Sequence, residues 1–403
     1  MGEQLFMAAG YSSMLLMPLL LAFGVAVDLP YLAVAIATLV FPMMRIVFGA
    51  YRWRSPILWR ESVATYLDRL PIGYGAVLFA AIACVIDRLA MGAVRSPIDA
   101  VWTGLSLWMT LLFATSPAHE LIHRRKPLDA GVGWFIAGLA GYPLLGYEHL
   151  RHHVRHGDTT QAEWPRFAES AWSFASRRIR RIFVDAGSQG MAFWRPGLAR
   201  GQGHRSGALV VTLLTWATFT WAGGWTGWLI YAGVIVGVTL GFQLINYLQH
   251  WGLGDDHLAG AHERPMAWED DCLFQSWLTL NISFHQSHHL SPTLPYYRLG
   301  LRADSPRPPA GYLILLPICM VPALWRRLMA PALAHWQRAP QSPQSPGHQL
   351  SCFSFYLDMD ADADAGSADR AEQTAVETFS QTDALGHAPL AKEGPLPSPA
   401  TDC

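Results

Sequence analysis

Between Gly207 and Gly254 the chain carries no aspartate, glutamate, lysine or arginine. That run is more than twice the roughly 20 apolar residues a helix needs to cross a bilayer. Gly223-Gly224 interrupts it just before Trp225, so the economical reading is two membrane helices, 207–223 and 225–247, joined by a tight turn. Four further apolar stretches, 5–27, 30–50, 71–93 and 100–118, are long enough to join them. Charged residues make up 15% of the chain, against about a quarter in soluble domains. The expected class is an all-α integral membrane protein with about six transmembrane helices. The first stretch is too long for a signal peptide and lacks its charged start and cleavage site, and it reads as a retained span. The glycine-rich segment 131–147 reads as half-buried or interfacial. Gly311–Leu328, ending in Arg326-Arg327, reads as an interfacial amphipathic segment.

Cationic residues orient the spans. Arg52, Arg54, Arg60 and Arg69 follow the second span, and Arg124, Arg125 and Lys126 follow the fourth. Arg151, Arg155, Arg177, Arg178, Arg180 and Arg181 lie between the fourth and fifth. With six crossings all of these share one side, so both termini are expected to be cytoplasmic.

Four short histidine clusters fall on that same side: His119 and His123 in HELIH, His149, His152 and His153 in EHLRHH, His250 in NYLQHWGL, and His285, His288 and His289 in HQSHH. Residues three and four apart share a helix face, so each cluster is expected to aim its imidazoles at a single point. A catalytic zinc takes three protein ligands, and nine imidazoles exceed what one such ion uses. Two metal ions fit the count. HELIH alone also suits a zinc peptidase with Glu120 as base. Imidazole binds iron, zinc and copper alike, but zinc has no redox role, and so rich a neutral donor set favours iron.

Cys84, Cys272, Cys319, Cys352 and Cys403 form no CxxC pair, so the chain encodes no rubredoxin-type or iron–sulfur centre of its own. Electrons must come from another protein. Cys84 and Cys319 sit in apolar runs and read as packing residues. From residue 339 the composition turns to Pro, Ser, Ala and Asp, that of a disordered tail. From Ser351 on there are ten acidic and two basic residues, a balance of minus eight, which leaves plus seven for the first 350 residues. The expected division is a catalytic domain at 1–338 and an acidic tail at 339–403. No nucleic-acid motif is present.

HELIHRR, EHLRHH followed by Asp158, NYLQHWGL, and HQSHH followed by Tyr296, Tyr297 and Leu299 resemble the motif set of the integral-membrane alkane hydroxylases and xylene monooxygenases. These belong to the histidine-box superfamily of the fatty-acid desaturases. The resemblance covers roughly residues 10–336. It implies a six-helix monooxygenase of the bacterial inner (plasma) membrane with a cytoplasmic diiron cap. Two non-haem iron ions would be held by His119, His123, His149, His152, His153, His250, His285, His288 and His289. The cosubstrate would be O2, the substrate an apolar small molecule drawn from membrane lipid, and the donor a rubredoxin or ferredoxin-type protein with its NAD(P)H reductase. Three departures stand out. Gln249 occupies the position of the usual glutamate, and Trp251 that of a tyrosine. The second motif has the HxxHH spacing of desaturases rather than HxxxHH, which keeps open a fatty-acid desaturase or an alkene-forming decarboxylase.

Metal-bound imidazoles donate their second nitrogen to a partner that fixes the tautomer. Glu120, Glu148 and Asp158, with Glu163, Asp270 and Asp271 after them, are the acidic candidates. His156, His257 and His262 are off the motif spacing and read as bystanders. Trp102, Trp108, Phe113, Trp134, Phe135, Tyr142, Phe242 and Leu244 are the candidates for lining an apolar approach to the site.

Overall fold

The computed structural model describes residues 2–52, 57–189, 204–258 and 267–338. Arg54, His262 and the tail 339–403, with its acidic run and Cys352 and Cys403, lie outside the described residues. Every named regular element is helical. Among the described residues four helices are long and apolar enough to cross a membrane: α1 (Gly2–Ala26), α3 (Glu61–Ala90), α4 (Pro97–Ile122) and the 46-residue Arg205–His250, numbered α8 below. Between the first two, α2 (Leu32–Phe48) is apolar but shorter. It tightens and loosens through a π turn at Ile36–Val40 and a 3-10 turn at Phe41–Met43, where Pro42 removes a backbone donor.

A straight helix as long as Arg205–His250 would run about 69 Å, twice a bilayer core. It does not run straight. Gly224 has φ 57° and ψ −135°, a conformation glycine adopts without a Cβ clash, and the two halves fold back on each other. Phe219 stacks on Tyr231 at 5.1 Å and the Trp216 indole donates to Trp228 O at 3.2 Å. The hairpin expected at Gly223-Gly224-Trp225 is borne out. Trp221 and Trp225 at its tip are 80% and 70% exposed, and Leu214 and Val236 are exposed along its flanks. Apolar side chains left bare over helix flanks suit lipid, with tryptophans at the interface level.

The interior is built by shorter helices. α5 (Pro127–Leu139) was expected to be half-buried; the structure packs it against α4 and α8, with Trp134, Ile136 and Leu139 buried. Its glycines are points of contact: a Cβ on Gly133 would lie 2.9 Å from Ala118 O, and one on Gly138 would lie 2.7 Å from Ala208 O. α6 (Leu145–Val154) and α7 (Ala171–Gln189) follow. α7 buries Ala171, Phe174, Ala175, Arg178 and Ile182, one helical face by spacing. Beyond α8 and a single helical turn at Asp255–Leu258 come α9 (Leu273–Leu278) and α10 (His285–Leu290), then α11 (Tyr312–Cys319) and α12 (Pro322–Arg338). The segment Gly311–Leu328, expected to be interfacial and amphipathic, falls on two helices, α11 and the start of α12, and α12 turns an apolar face onto protein. Trp325, Met329 and Leu333 pack with Tyr247, Trp251 and Trp268 in a second core. Cys319 is buried as expected, whereas Cys84 is exposed on α3.

Candidate metal centre

HELIH forms the last turn of α4, with His123 as its C-cap. Ser96 and Asp99 form a capping box at the other end, each side chain bonding the other's backbone N–H at 3.1 Å. That fixes where α4 starts and hence where His119 and His123 end up. α6 carries His149, His152 and His153, the last residue of α8 is His250, and α10 carries His285, His288 and His289. All nine imidazoles come together, but in two sets. His119, His123, His149, His153 and His288 form one, His152, His250, His285 and His289 the other, with the ligand atoms of each set within 4.8 Å of one another.

The expectation that each cluster aims at one point is therefore corrected. On α6 the i and i+4 imidazoles, His149 and His153, join the five-membered set, while the i+3 imidazole, His152, turns to the other. On α10 the pattern is the same with the sets exchanged: His285 and His289 share one, His288 crosses to the other. Residues i+3 and i+4 lie about 100° apart around a helix of 3.6 residues per turn, so two such helices facing each other interleave their donors into two centres. The HxxHH spacing, which on α6 departs from the resembled family, is what produces this division on both helices.

The contacts fit a metal and nothing simpler. His149 Nε2 lies 2.8 Å from His123 Nε2, 2.8 Å from His153 Nε2 and 3.4 Å from His288 Nε2; His153 Nε2 is also 2.9 Å from His288 Nε2. In the second set His152 and His250 meet at 3.0 Å, and His289 and His285 at 3.1 Å, again through Nε2. One imidazole nitrogen either donates or accepts, so three nitrogens around His149 Nε2 cannot all be satisfied by protons. The buried Nε2 of His119 has no hydrogen-bond partner among the described residues. A cation at each focus would take up these lone pairs. Burial first, and then the neighbouring imidazoles, hold His149, His152, His285, His288 and His289 well below the ordinary histidine range; burial brings His123 down to about 4. The neutral form is the ligating one.

The acidic candidates divide. Glu148 is fully buried: its carboxylate receives Arg178 Nε at 2.8 Å, Gln243 Nε2 at 3.0 Å and the Tyr142 hydroxyl. Arg178 also reaches Glu163, and Arg151 is ion-paired with Glu163 at 2.5 Å. This network ties α6 to α7 and α8 through Glu148, the residue before His149. Glu120 is ion-paired with Arg124 at 3.1 Å. The Asp158 carboxylate accepts from Thr160 N at 2.9 Å, Thr160 Oγ1 at 2.7 Å and Gln161 N at 2.9 Å. Although burial opposes it, these bonds hold Asp158 below the usual carboxylate range, and it shapes the loop after α6. Asp270 and Asp271 pair with Arg45 at 3.3 and 2.7 Å.

Four residues the sequence reading passed over stand closer to the centre. Arg178 was counted only as a surface charge, yet it falls on the buried face of α7, a position its periodicity already signals. Gln243 precedes the third motif by one helical turn on α8. Glu269, buried between Trp268 and Asp270, accepts from Ser287 N at 3.3 Å and from Arg307 at 3.1 Å, holding the backbone of α10. Trp164 is buried and stacks on His250 at 4.4 Å. Gln249 donates to Ile282 O at 3.3 Å, which an ionised glutamate could not do. Tyr296 and Tyr297 bond Leu67 O and Asp68 on α3, pinning the loop beyond α10. Of the lining candidates, Tyr142 is committed to Glu148, Trp134 packs over Gly146, and Trp102 is exposed.

The sequence model of the family described as fatty acid desaturase matches residues 99–316, more than half of the chain and all four motifs. This chain is a member of the fatty acid desaturase family. It is similar to alkane 1-monooxygenase 1 of Pseudomonas aeruginosa, with 30% identity over 226 residues (53% of this chain, 58% of the relative). It is also similar to alkane 1-monooxygenase 2 of Alcanivorax borkumensis, with 27% identity over 233 residues (55% and 60%). The hydroxylase component of the xylene/toluene monooxygenase of Pseudomonas putida shares 24% identity over 261 residues (61% and 68%). The chain spans about three fifths of the length of the alkane monooxygenases it matches. The resemblance read from the motifs is borne out.

Proposed function

We propose that this desaturase-family chain is a membrane non-haem diiron monooxygenase that hydroxylates an apolar alkyl C–H bond, in an alkane or the methyl group of an alkyl-aromatic. The observation that supports this most is the division of nine imidazoles, from four motifs of which two end the apolar helices α4 and α8, into two all-nitrogen sets. In this reading His119, His123, His149, His153 and His288 hold one iron, and His152, His250, His285 and His289 the other. When bound, the iron pair supplies the electrons that reduce O2 and the oxidising power to break an alkyl C–H bond. The chain's residues do the rest. Neutral imidazoles keep the donor set uncharged, Trp164 shields the buried side of His250, and the Glu148–Arg178 pair holds α6 in register. With no CxxC pair in the chain, the electrons come from a rubredoxin or ferredoxin-type protein and its NAD(P)H reductase. The names of the relatives support alkyl hydroxylation over the alternatives.

A zinc peptidase would need Glu120 poised as a base, and its pairing with Arg124 counts against that. Desaturation or alkene-forming decarboxylation is favoured by one observation, the HxxHH spacing on both α6 and α10. Products decide between them. Cells expressing the full chain, or the chain cut after Arg338, are offered octane, xylene and lauric acid in parallel. Alcohols from octane or xylene, equal for both lengths, are expected if residues 1–338 are the catalytic domain. Alkenes as the sole products would replace hydroxylation with the second reading, and loss of product on truncation would give the tail a catalytic part.

The cation distribution supports six crossings in a bacterial-type inner membrane, α8 counting twice, with both termini and the histidines cytoplasmic. A reporter fused after Arg338 is expected inside, and one inserted at Gly223 outside. The reverse labelling at either site would rule this topology out.

A further inference from the structure

His156 lies outside the four motifs, on the loop that follows α6, and its ring is exposed. It points back at the centre: the ring centroid is 5.1 Å from that of His289 and 6.5 Å from that of His153. The ligand nitrogens of His153, His156 and His289 lie within 4.8 Å of one another. This third group has two properties that neither main set has. Its members run from exposed through half-buried to buried, and it contains one histidine from each set, His153 from the five and His289 from the four. The Nδ1 atoms of His153 and His289 are buried and have no hydrogen-bond partner among the described residues.

We propose that His156, His153 and His289 form an entry site, at which a divalent iron ion is first captured from water and from which it is handed to either set. The inference rests on the two-iron reading and deepens it. A hydrated cation cannot enter a buried imidazole cluster in one step, because it would lose its waters before gaining ligands. An exposed imidazole at the rim replaces a water while the others remain. His153 and His289 then accept the ion, and each is already in contact with the remaining donors of its own set, so the ion passes inward without being free of ligands. Imidazole suits divalent iron, and binding costs only the displacement of a proton or a water. The four-histidine set is wholly buried, so the entry site matters most for it.

The test follows loading rather than turnover. The full chain in detergent is stripped of metal with a chelator under anaerobic conditions, ferrous ion is added, and samples are quenched with external chelator at intervals to count protein-bound iron. His156→Ala is expected to load roughly tenfold more slowly, the low end of what loss of a metal-site partner costs, and to reach the same final iron content. His156→Asp, which restores a ligating side chain, is expected to load near the wild-type rate. Equal rates for wild type and His156→Ala would overturn the entry site. A lower final content in His156→Ala would also overturn it, by making His156 a resident ligand. Wild-type chain that takes up no iron would remove the metal centre itself and the entry site with it, an outcome distinct from either of these.

Discussion

Alanine at His288 or at His289 is expected to abolish hydroxylation, but the two variants should differ in the metal they keep. His288 is one of five imidazoles in its set and leaves four behind, still a full complement for a compact metal site. His289 is one of four and leaves three. Both side chains are buried and ring-packed, His289 against His285 at 4.5 Å and His288 against His119 at 4.4 Å, so the difference between them rests on ligand number. Iron content should therefore fall by about one ion per chain in His289→Ala and by less in His288→Ala, since affinity follows ligand number and deprotonated donors. Metal analysis of the purified variants, with product analysis beside it, checks both. Full activity in either variant would refute the assignment of nine ligands. An identical loss of metal in both would refute their division into two sets.

Arg178→Met is expected to be the most damaging substitution away from the histidines. Arg178 is fully buried between Glu148 and Glu163, with bonds to Ala162 O at 3.2 Å and Glu148 O at 3.3 Å as well. Removing one partner of a buried ion pair leaves the others charged and desolvated, at a cost of about 3–5 kcal/mol. Here Glu148 loses its charged partner, while Glu163, raised above the ordinary carboxyl range by burial despite its arginine neighbours, keeps Arg151 alone. Because Glu148 adjoins His149 in α6, the loss should reach the metal sets as lower iron content at a given free iron concentration. Thermal unfolding in detergent measures the first effect and chelator competition the second. Glu148→Gln combined with Arg178→Met should recover part of the stability, because it removes one stranded charge. Wild-type stability in Arg178→Met would mean the network contributes nothing.

Much of this arrangement is legible in the primary structure, and the rest is hidden for reasons that can be named. The uncharged run 207–254 and the glycines at its middle dictate a helical hairpin, because lipid offers the backbone no hydrogen bonds and only a helix satisfies its own. The nine histidines are visible because a catalytic imidazole cluster is rare in an apolar chain. How HQSHH and EHLRHH share their donors is not visible. Spacing fixes angles around one helix, but whether a 100° difference separates two ligands or merely tilts them depends on where the facing helix stands. Arg178 was hidden by habit of reading. Arginines between spans count toward orientation, yet this one is in register with Phe174, Ala175 and Ile182 and so is carried inward. The segment 131–147 misled in the same way. Glycines that suggested a loose, half-immersed stretch are the places where α5 meets the backbones of α4 and α8. Glu269 and Trp164 carry no motif at all, and only tertiary packing brings them to Ser287 and His250.

Metal content and ligation of the purified full-length chain bear most directly on the two-set centre. About two irons per chain are expected, and X-ray absorption should find nitrogen ligation with little carboxylate, as imidazole sets dictate. A single zinc with no iron, or one iron ligated mainly by carboxylate oxygen, would contradict it.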